Sequence, residues 1–258
     1  MTSLSALPVR TVRDLTILEL DPDRVMVVAC DSIGGIGSKP QDSYPATAAT
    51  VAHFAARVPL IELLAAGAVP QLIVDALSVE MDPTGKEMIE EFRNIGNSIG
   101  LSSERITGST EDNVTSIATG VGVTVLGLAS AHDLRPGTSQ DRDNVLCLGL
   151  PTSAPHDEVY VGHPDMVPLD VLGEVLAIDG VHDALPVGSH GIRYELAELA
   201  ATAGLTARET QHALDSTKSG GPASCVLLSL SPEACTTVTA LLSTRKVPHT
   251  LIGTLSAP

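Results

Sequence analysis

Apolar and polar positions along this chain follow two spacings that take turns. Residues 15–20 and 25–30 are short runs rich in Val, Ile and Leu, of strand length. Val51, Phe54, Val58, Ile61 and Ala65 then recur at intervals of three and four, one face of a helix that should stop near Gly67 and kink at Pro59. Residues 72–79 read as a strand. Asp82-Pro83 opens a helix whose stripe of Ile89, Phe92, Ile95 and Ile99 ends at Gly100, and residues 119–129 form another strand. A polar segment between His132 and Asn144, with Arg135-Pro136-Gly137 inside it, marks a lobe boundary. Alternation resumes beyond it, with strands at 145–150, 181–187, 223–230 and 249–255 and helices at 169–177, 192–203, 207–214 and 232–242. There is no repeat of solenoid period. The pattern predicts an α/β (α+β) protein of two lobes, residues 1–132 and 133–258.

With 258 residues, 43% of them hydrophobic, the chain can bury a sizeable core. A formal charge of −16 repels phosphate polyanions, which argues against nonspecific binding to nucleic acid or to anionic membranes. A bound nucleotide would need Mg²⁺ and local donors to overcome that field. Three Tyr, two Phe and no Trp leave little for stacking on nucleic-acid bases. The four cysteines lack Cys-x-x-Cys spacing; Cys30, Cys147 and Cys225 lie in apolar runs and read as small core residues, so a reducing cytoplasm is the expected setting. The first residues lack the basic start and apolar stretch of a signal peptide. The longest uncharged stretch, 114–131, is broken by Thr, Ser and Gly and reads as loop plus strand rather than a membrane span.

Candidate chemistry gathers in four places. Asp31 to Asp42 is a glycine-rich loop with a carboxylate at each end. Gly34, Gly35 and Gly37 let backbone N–H groups approach an anion, Lys39 offers a point charge to phosphate, and the carboxylates offer hard oxygens to Mg²⁺. No Gly-Lys-Ser/Thr follows, so it is not a Walker loop, and an ordinary glycine-rich turn is the plain alternative. Asp75 sits inside the apolar run 72–77. It must be paired, hydrogen-bonded or metal-bound if buried, or else lie on a solvated face. Gly108-Ser109-Thr110-Glu111-Asp112-Asn113 reads as a loop between strands, with side chains suited to metal or ribose or, more plainly, to an Asx turn. In the second lobe, Gly188-Ser189-His190-Gly191 before a helix and Lys218-Ser219-Gly220-Gly221-Pro222 before a strand could both surround an anion. His190 is either a helix-start residue or a direct participant. No zinc-ligand spacing, Gly-x-Ser-x-Gly elbow or dinucleotide fingerprint is present.

These motifs, in this order, carry a resemblance. Cys-Asp-Ser-Ile-Gly-Gly-Ile-Gly-Ser-Lys at 30–39, Glu-Leu-Leu-Ala-Ala-Gly-Ala-Val-Pro at 62–70, Gly-Ser-Thr-Glu at 108–111 and Gly-Val-Gly-Val-Thr-Val-Leu-Gly at 120–127 resemble the aminoimidazole ribonucleotide synthetase superfamily. That superfamily includes thiamine monophosphate kinase and selenophosphate synthetase. The resemblance implies a two-lobed fold whose first lobe pairs with a second copy into a dimeric β-barrel, with ATP and Mg²⁺ as cofactors in the cleft. It implies metal ligands at Asp31, Asp75 and Glu111, and catalytic roles for Asp31, Lys39 and His190. Nucleotide contacts would come from Gly34, Gly35, Gly37, Lys39, Thr110, Asn113, Gly188 and Ser189. The family loop Asp-Gly-x-Gly-Thr-Lys is altered here, with Ser32 after Asp31 and Lys39 further along.

Within the superfamily, no cysteine precedes Cys30 and the chain ends Leu-Ser-Ala-Pro, unlike the members that use a reactive cysteine. The motifs, with Pro-Val-Gly-Ser-His-Gly-Ile-Arg-Tyr-Glu at 186–195, are most similar to the α-ribazole kinases, which phosphorylate the 5′-hydroxyl of a benzimidazole riboside in cobalamin lower-ligand salvage. The resemblance therefore implies a cytoplasmic, homodimeric riboside kinase with no nucleic-acid or membrane partner. An ATP-dependent cyclo-ligase of the purine type and a non-catalytic nucleotide-binding protein are the alternatives.

Overall fold

The computed structural model describes residues 6–258. The first lobe runs β1 (Val9–Val12), β2 (Leu15–Glu19), β3 (Arg24–Gly34), β4 (Ile36–Gly37), β5 (Tyr44–Pro45), α1 (Ala48–Ala65), β6 (Val69–Leu77), α2 (Lys86–Ser98), β7 (Ile106–Thr110) and β8 (Gly120–Ser130). The second runs β9 (Asn144–Leu148), α3 (Leu169–Leu176), β10 (Val181–Pro186), α4 (Gly191–Thr202), β11 (Thr206–Glu209), β12 (Val226–Leu230), α5 (Pro232–Arg245) and β13 (His249–Ser256). The first sheet has six strands in the order β1-β2-β3-β8-β6-β7, antiparallel except for the β6–β7 pair. The second is a five-stranded antiparallel sheet in the order β10-β12-β9-β13-β11. This is a mixed α/β fold. The first sheet is open, with β1 and β7 at its edges among the described residues.

Strand alternation explains how the first lobe packs. Val25, Val27 and Ala29 of β3, Val121, Val123 and Val125 of β8, and Ile73 and Leu77 of β6 point to one face and are buried in a core shared with α1 and α2. The opposite face carries Met26, Val28, Val74 and Leu126, half-buried, with Leu128 and Val69 exposed. That second face is apolar and uncovered among the described residues.

Helix α1 joins the lobes. Its N-terminus is capped by Thr47, whose Oγ1 accepts the Thr50 N–H at 3.1 Å. Leu60 and Leu63 enter the first core, whereas Ile61 and Ala65 enter the second. Among the described residues α1 is the one helix long and apolar enough to cross a membrane, and 67% of it is buried, so its apolarity serves both cores. The lobes are further tied by Arg13, which donates to the Asp183 carboxylate from Nη1 at 3.0 Å and from Nη2 at 2.6 Å. Arg135 adds bonds to the carbonyls of Val181 and Leu176.

Several local expectations change. Residues 207–214, expected as a helix, begin as β11, because Thr206–Glu209 pair with the β13 edge and the chain then turns. Helix α1 runs unbroken through Pro59. The glycine-rich segment starts later than its sequence suggests, since Asp31–Gly34 remain paired with Gly120–Val123 inside the sheet. Gly108–Thr110 likewise belong to β7 rather than to a loop, held by parallel pairing with Asp75–Leu77. Cys147 and Cys225 are buried as expected, but Cys30 is exposed on the uncovered sheet face.

Candidate functional site

Strand register gathers the first group of residues. Val123 of β8 is paired with Asp31 of β3 on one side and Asp75 of β6 on the other, and Asp75 is paired with Gly108 of β7. Residues directly opposite one another share a face, so both aspartates lie on the core face, two strand spacings or roughly 10 Å apart along the backbone. Asp75 is 4% exposed, and its Oδ1 is buried without a hydrogen-bond partner. Burial pushes its carboxyl up to about 6. Gly108 makes this position possible, because a Cβ there would stand 2.2 Å from Asp75 Oδ1. Burial also raises the carboxyl of the half-buried Asp31, partly offset by the Ser32 N–H.

Asp31 faces a cleft between the lobes with about 380 Å³ of free volume. One wall is aromatic and aliphatic, from Tyr44, Val51, Phe54 and Val58 of the first lobe. The facing wall comes from Gly188, Ser189, Gly221 and Pro222 of the second. These loops pack closely: a Cβ at Gly220 would sit 2.2 Å from the Val187 carbonyl. Val58, Gly188 and Gly221 also line a smaller inner chamber, whose polar walls are Arg13, Asp14, Glu62 and Glu195. Glu62 is pushed up to about 8, first by burial and then by the charges of Asp14, Asp31 and Glu195. Its Oε2 is buried and unpartnered. Glu195 is pushed up to about 7, mainly by burial, although its Oε1 accepts the Gly188 N–H at 3.3 Å. The inner end of the cleft is therefore a converging set of carboxylates short of positive charge.

The residues singled out from sequence divide between places. Asp31, Gly188 and Ser189 meet at the cleft. Asp75 and Thr110 line a separate hollow beside β7 that also includes Gly108 and Arg93. Glu111 points into its own turn, accepting the Asn113 N–H at 2.7 Å, and Asn113 is exposed. Among the described residues no three His, Cys, Asp or Glu side chains stand close enough to hold one ion, so Asp31, Asp75 and Glu111 do not form a single ligand set. Gly34 ends β3, Gly35 takes a left-handed φ of 70° and donates to the Thr119 carbonyl, and Gly37 lies in β4. Lys39 Nζ is paired with Glu80, which also accepts from Thr84 at 2.5 Å. Asp42 closes the loop instead of facing outward, accepting from the backbone N–H groups of Lys39 and Thr119 and from the Thr119 hydroxyl. His190 is exposed at the start of α4 with its ring 4.7 Å from that of Tyr194, and the cleft lining passes through Ser189 instead.

Sequence reasoning missed Asp14, Glu62 and Glu195. Glu195 lies three residues after Ile192 and four before Leu199, on the buried stripe of α4, and Glu62 lies among the buried residues of α1. An acidic residue inside an apolar helical stripe is the same signal that marked Asp75 in its strand. The carboxylates fit Mg²⁺: they offer hard oxygens, of which Glu62 Oε2 and Asp75 Oδ1 are orphaned among the described residues, and Mg²⁺ is commonly held by one or two carboxylates with phosphate and water completing its shell. A three-residue protein cage is not required.

No protein-family model and no curated protein matches the chain. Solved structures do. Thiamine-monophosphate kinase from Stenotrophomonas maltophilia superposes with a TM-score of 0.68 at 17% identity, over 97% of this chain and 89% of that one. T. maritima PurL complexed with ATP gives 0.68 at 19% identity over 98% of this chain, which spans only 44% of PurL. The protein tt0281 from Thermus thermophilus gives 0.65 at 14% identity, over 92% and 87% of the two chains. At these identities the likeness establishes a fold shared with these proteins.

Proposed function

We propose that the protein is an ATP- and Mg²⁺-dependent phosphotransferase acting on an alcohol, and that the acceptor is the 5′-hydroxyl of α-ribazole. The observation that carries this reading is the construction of the inter-lobe cleft. Its walls are apolar and aromatic, and its deep end converges on Asp31, Glu62 and Glu195. A neutral riboside with an aromatic base suits such walls better than a pre-phosphorylated acceptor does, since the carboxylates repel added negative charge. Tyr44 and Phe54 supply aromatic faces that the second-lobe wall lacks. The fold shared with a thiamine-monophosphate kinase and with an ATP-bound PurL supports the same reading.

In the proposed reaction the acceptor oxygen bonds to the γ-phosphorus as the bond to the β–γ bridging oxygen breaks. ADP leaves and the hydroxyl proton is released. Mg²⁺, when bound, neutralises charge on the polyphosphate. Asp31 and Glu62, which converge at the deep end of the cleft, would hold it, Asp75 would hold a second ion in its own hollow, and Lys39 would meet a phosphate oxygen once released from Glu80. The reading includes a homodimer joined through the uncovered face of the first sheet, where Val69 and Leu128 are exposed. Sedimentation should give a dimer at micromolar concentration, and a persistent monomer rejects this part.

The main test is a mass-spectrometric screen of the purified protein with ATP, Mg²⁺ and separate acceptors. We expect α-ribazole phosphate and ADP in equal amounts. Phosphorylation of thiamine monophosphate but not of α-ribazole keeps the kinase and rejects the acceptor. ATP consumption only with a formylglycinamidine substrate establishes the cyclo-ligase, and none with any acceptor leaves a binding protein.

A further inference from the structure

A second cleft, with about 650 Å³ of free volume, opens between α1, α2, the segment before α3 and the end of α5. Phe54 lines both this cleft and the first one. Its distinctive member is Arg57, a guanidinium only 5% exposed that has no carboxylate within 4 Å among the described residues. Nη2 donates to the carbonyls of Val167 at 2.5 Å and Ala223 at 3.2 Å. Nε is sealed without a partner, and Nη1 makes no hydrogen bond. Burial pulls Arg57 down to about 10, so it remains charged at neutral pH.

An unmatched buried guanidinium is unusual in any protein and more so in a chain with 31 acidic residues against 15 Lys and Arg. The acids that share the cleft are already engaged. Glu91 accepts from His53 at 2.8 Å and from Asn94 at 3.1 Å, and Asp170 accepts from Arg245 at 3.1 Å. On the facing loop, His163 Nδ1 accepts the Asp165 N–H at 3.1 Å, which assigns the ring proton to Nε2 and makes that atom a donor. Ile95, Met166 and Val247 supply apolar wall. The space greatly exceeds an inorganic ion, and the nearby carboxylates of Glu91 and Asp170 disfavour a dianion.

We propose that this cleft binds an organic monoanion, with a carboxylate head on Arg57 and an apolar body along Ile95, Met166 and Val247. A carboxylate oxygen accepting from Nη1, the guanidinium nitrogen left open, supplies the counter-charge that the fold omits. The inference is independent of the phosphotransferase reading.

The test is calorimetric titration of the whole protein with benzoate, with benzamide as its neutral isostere. We expect one saturable benzoate site and about 10- to 100-fold weaker benzamide, the scale of a charge-assisted hydrogen bond. Arg57→Met should lose benzoate binding. Because that variant also removes the bonds to Val167 and Ala223 and could unfold, Ser98→Trp serves as the second probe. Ser98 is an exposed residue at the end of α2, and a tryptophan there narrows the cleft while keeping the guanidinium. Loss of binding in Ser98→Trp with an unchanged melting profile supports the proposal. Equal affinity for benzamide, undiminished benzoate binding in either folded variant, or tighter benzoate binding in Asp31→Asn, which places the anion beside that carboxylate in the first cleft, overturns it.

Discussion

Buried acids that tie the fold together and those beside the candidate site are treated in opposite ways. In the second lobe Asp183 receives two bonds from Arg13 and further ones from the Gly137 and Ala184 N–H groups, and Asp143 receives them from His182, Ser229 and the Gln140 N–H. In the first lobe, Asp75 and Glu62 each keep an oxygen with no partner. A carboxylate that holds a fold together is saturated with donors, whereas one left short is available to a proton or an external cation. The largest expected effect breaks the saturated side. Asp183→Ala should leave Arg13 buried and unmatched and lower stability by about 3–5 kcal/mol in urea unfolding. Glu62→Gln, on the unsaturated side, should stay within about 1 kcal/mol of the parent protein. Equal losses in the two variants would abolish the contrast.

The next effect falls on ligand binding. Asp31→Asn and Asp75→Asn each remove one anionic oxygen donor without opening a cavity, so the fold should persist while Mg-ATP affinity falls roughly 10- to 150-fold, the scale of a charged contact. Calorimetric titration at fixed Mg²⁺ reads this directly. Parent-like affinity in both variants would remove Asp31 and Asp75 from the metal site.

A smaller, graded effect comes with pH. Glu62 is raised from an ordinary 4.5 to about 8, Glu195 to about 7, and Asp75 from 3.8 to about 6, in each case chiefly by burial. A carboxyl raised in the folded state binds its proton more tightly there than in the unfolded chain. Its contribution is complete below the unfolded value and is lost as pH rises through the folded one. Metal-free protein should therefore lose stability between about pH 4 and 8, with a slope of up to about 1.4 kcal/mol per pH unit for each such group. Glu62→Gln should flatten the upper part of that window, and Mg²⁺ should stabilise more at pH 8 than at pH 5. Urea midpoints independent of pH over this range would contradict the unsaturated reading.

Much of this was legible in the chain. Alternating and three-four spaced apolar residues located most of the strands and helices, and Asp31 and Asp75 were visible because a carboxylate inside an apolar strand is conspicuous. Glu62 and Glu195 were not, since glutamate is an ordinary helix residue and only tertiary packing shows which face is buried. The β11 strand was hidden for a related reason. Ala207-Arg208-Glu209 has helix-favouring composition, and its strand form depends on the distant β13 edge. Lys39 was readable as a positive charge inside a glycine-rich segment, but its pairing with Glu80, far along the chain, was not.

That pairing carries the smallest expected effect. Glu80 lies near 2, held down first by the Lys39 ammonium and then by the Thr84 hydroxyl, so at neutral pH it is a full negative charge against Lys39. A phosphate reaching for Lys39 must displace that carboxylate. Glu80→Gln keeps an oxygen to accept from Thr84 but removes the competing charge, which frees Lys39 at little structural cost. Partly exposed ion pairs are weak, so ATP affinity should rise only about 1.5- to 5-fold, and the gain should shrink as salt is added. Lys39→Met should lower affinity and cancel the gain in the double variant. If Glu80→Gln changes ATP affinity equally with and without Lys39, the lysine holds the loop and does not meet phosphate.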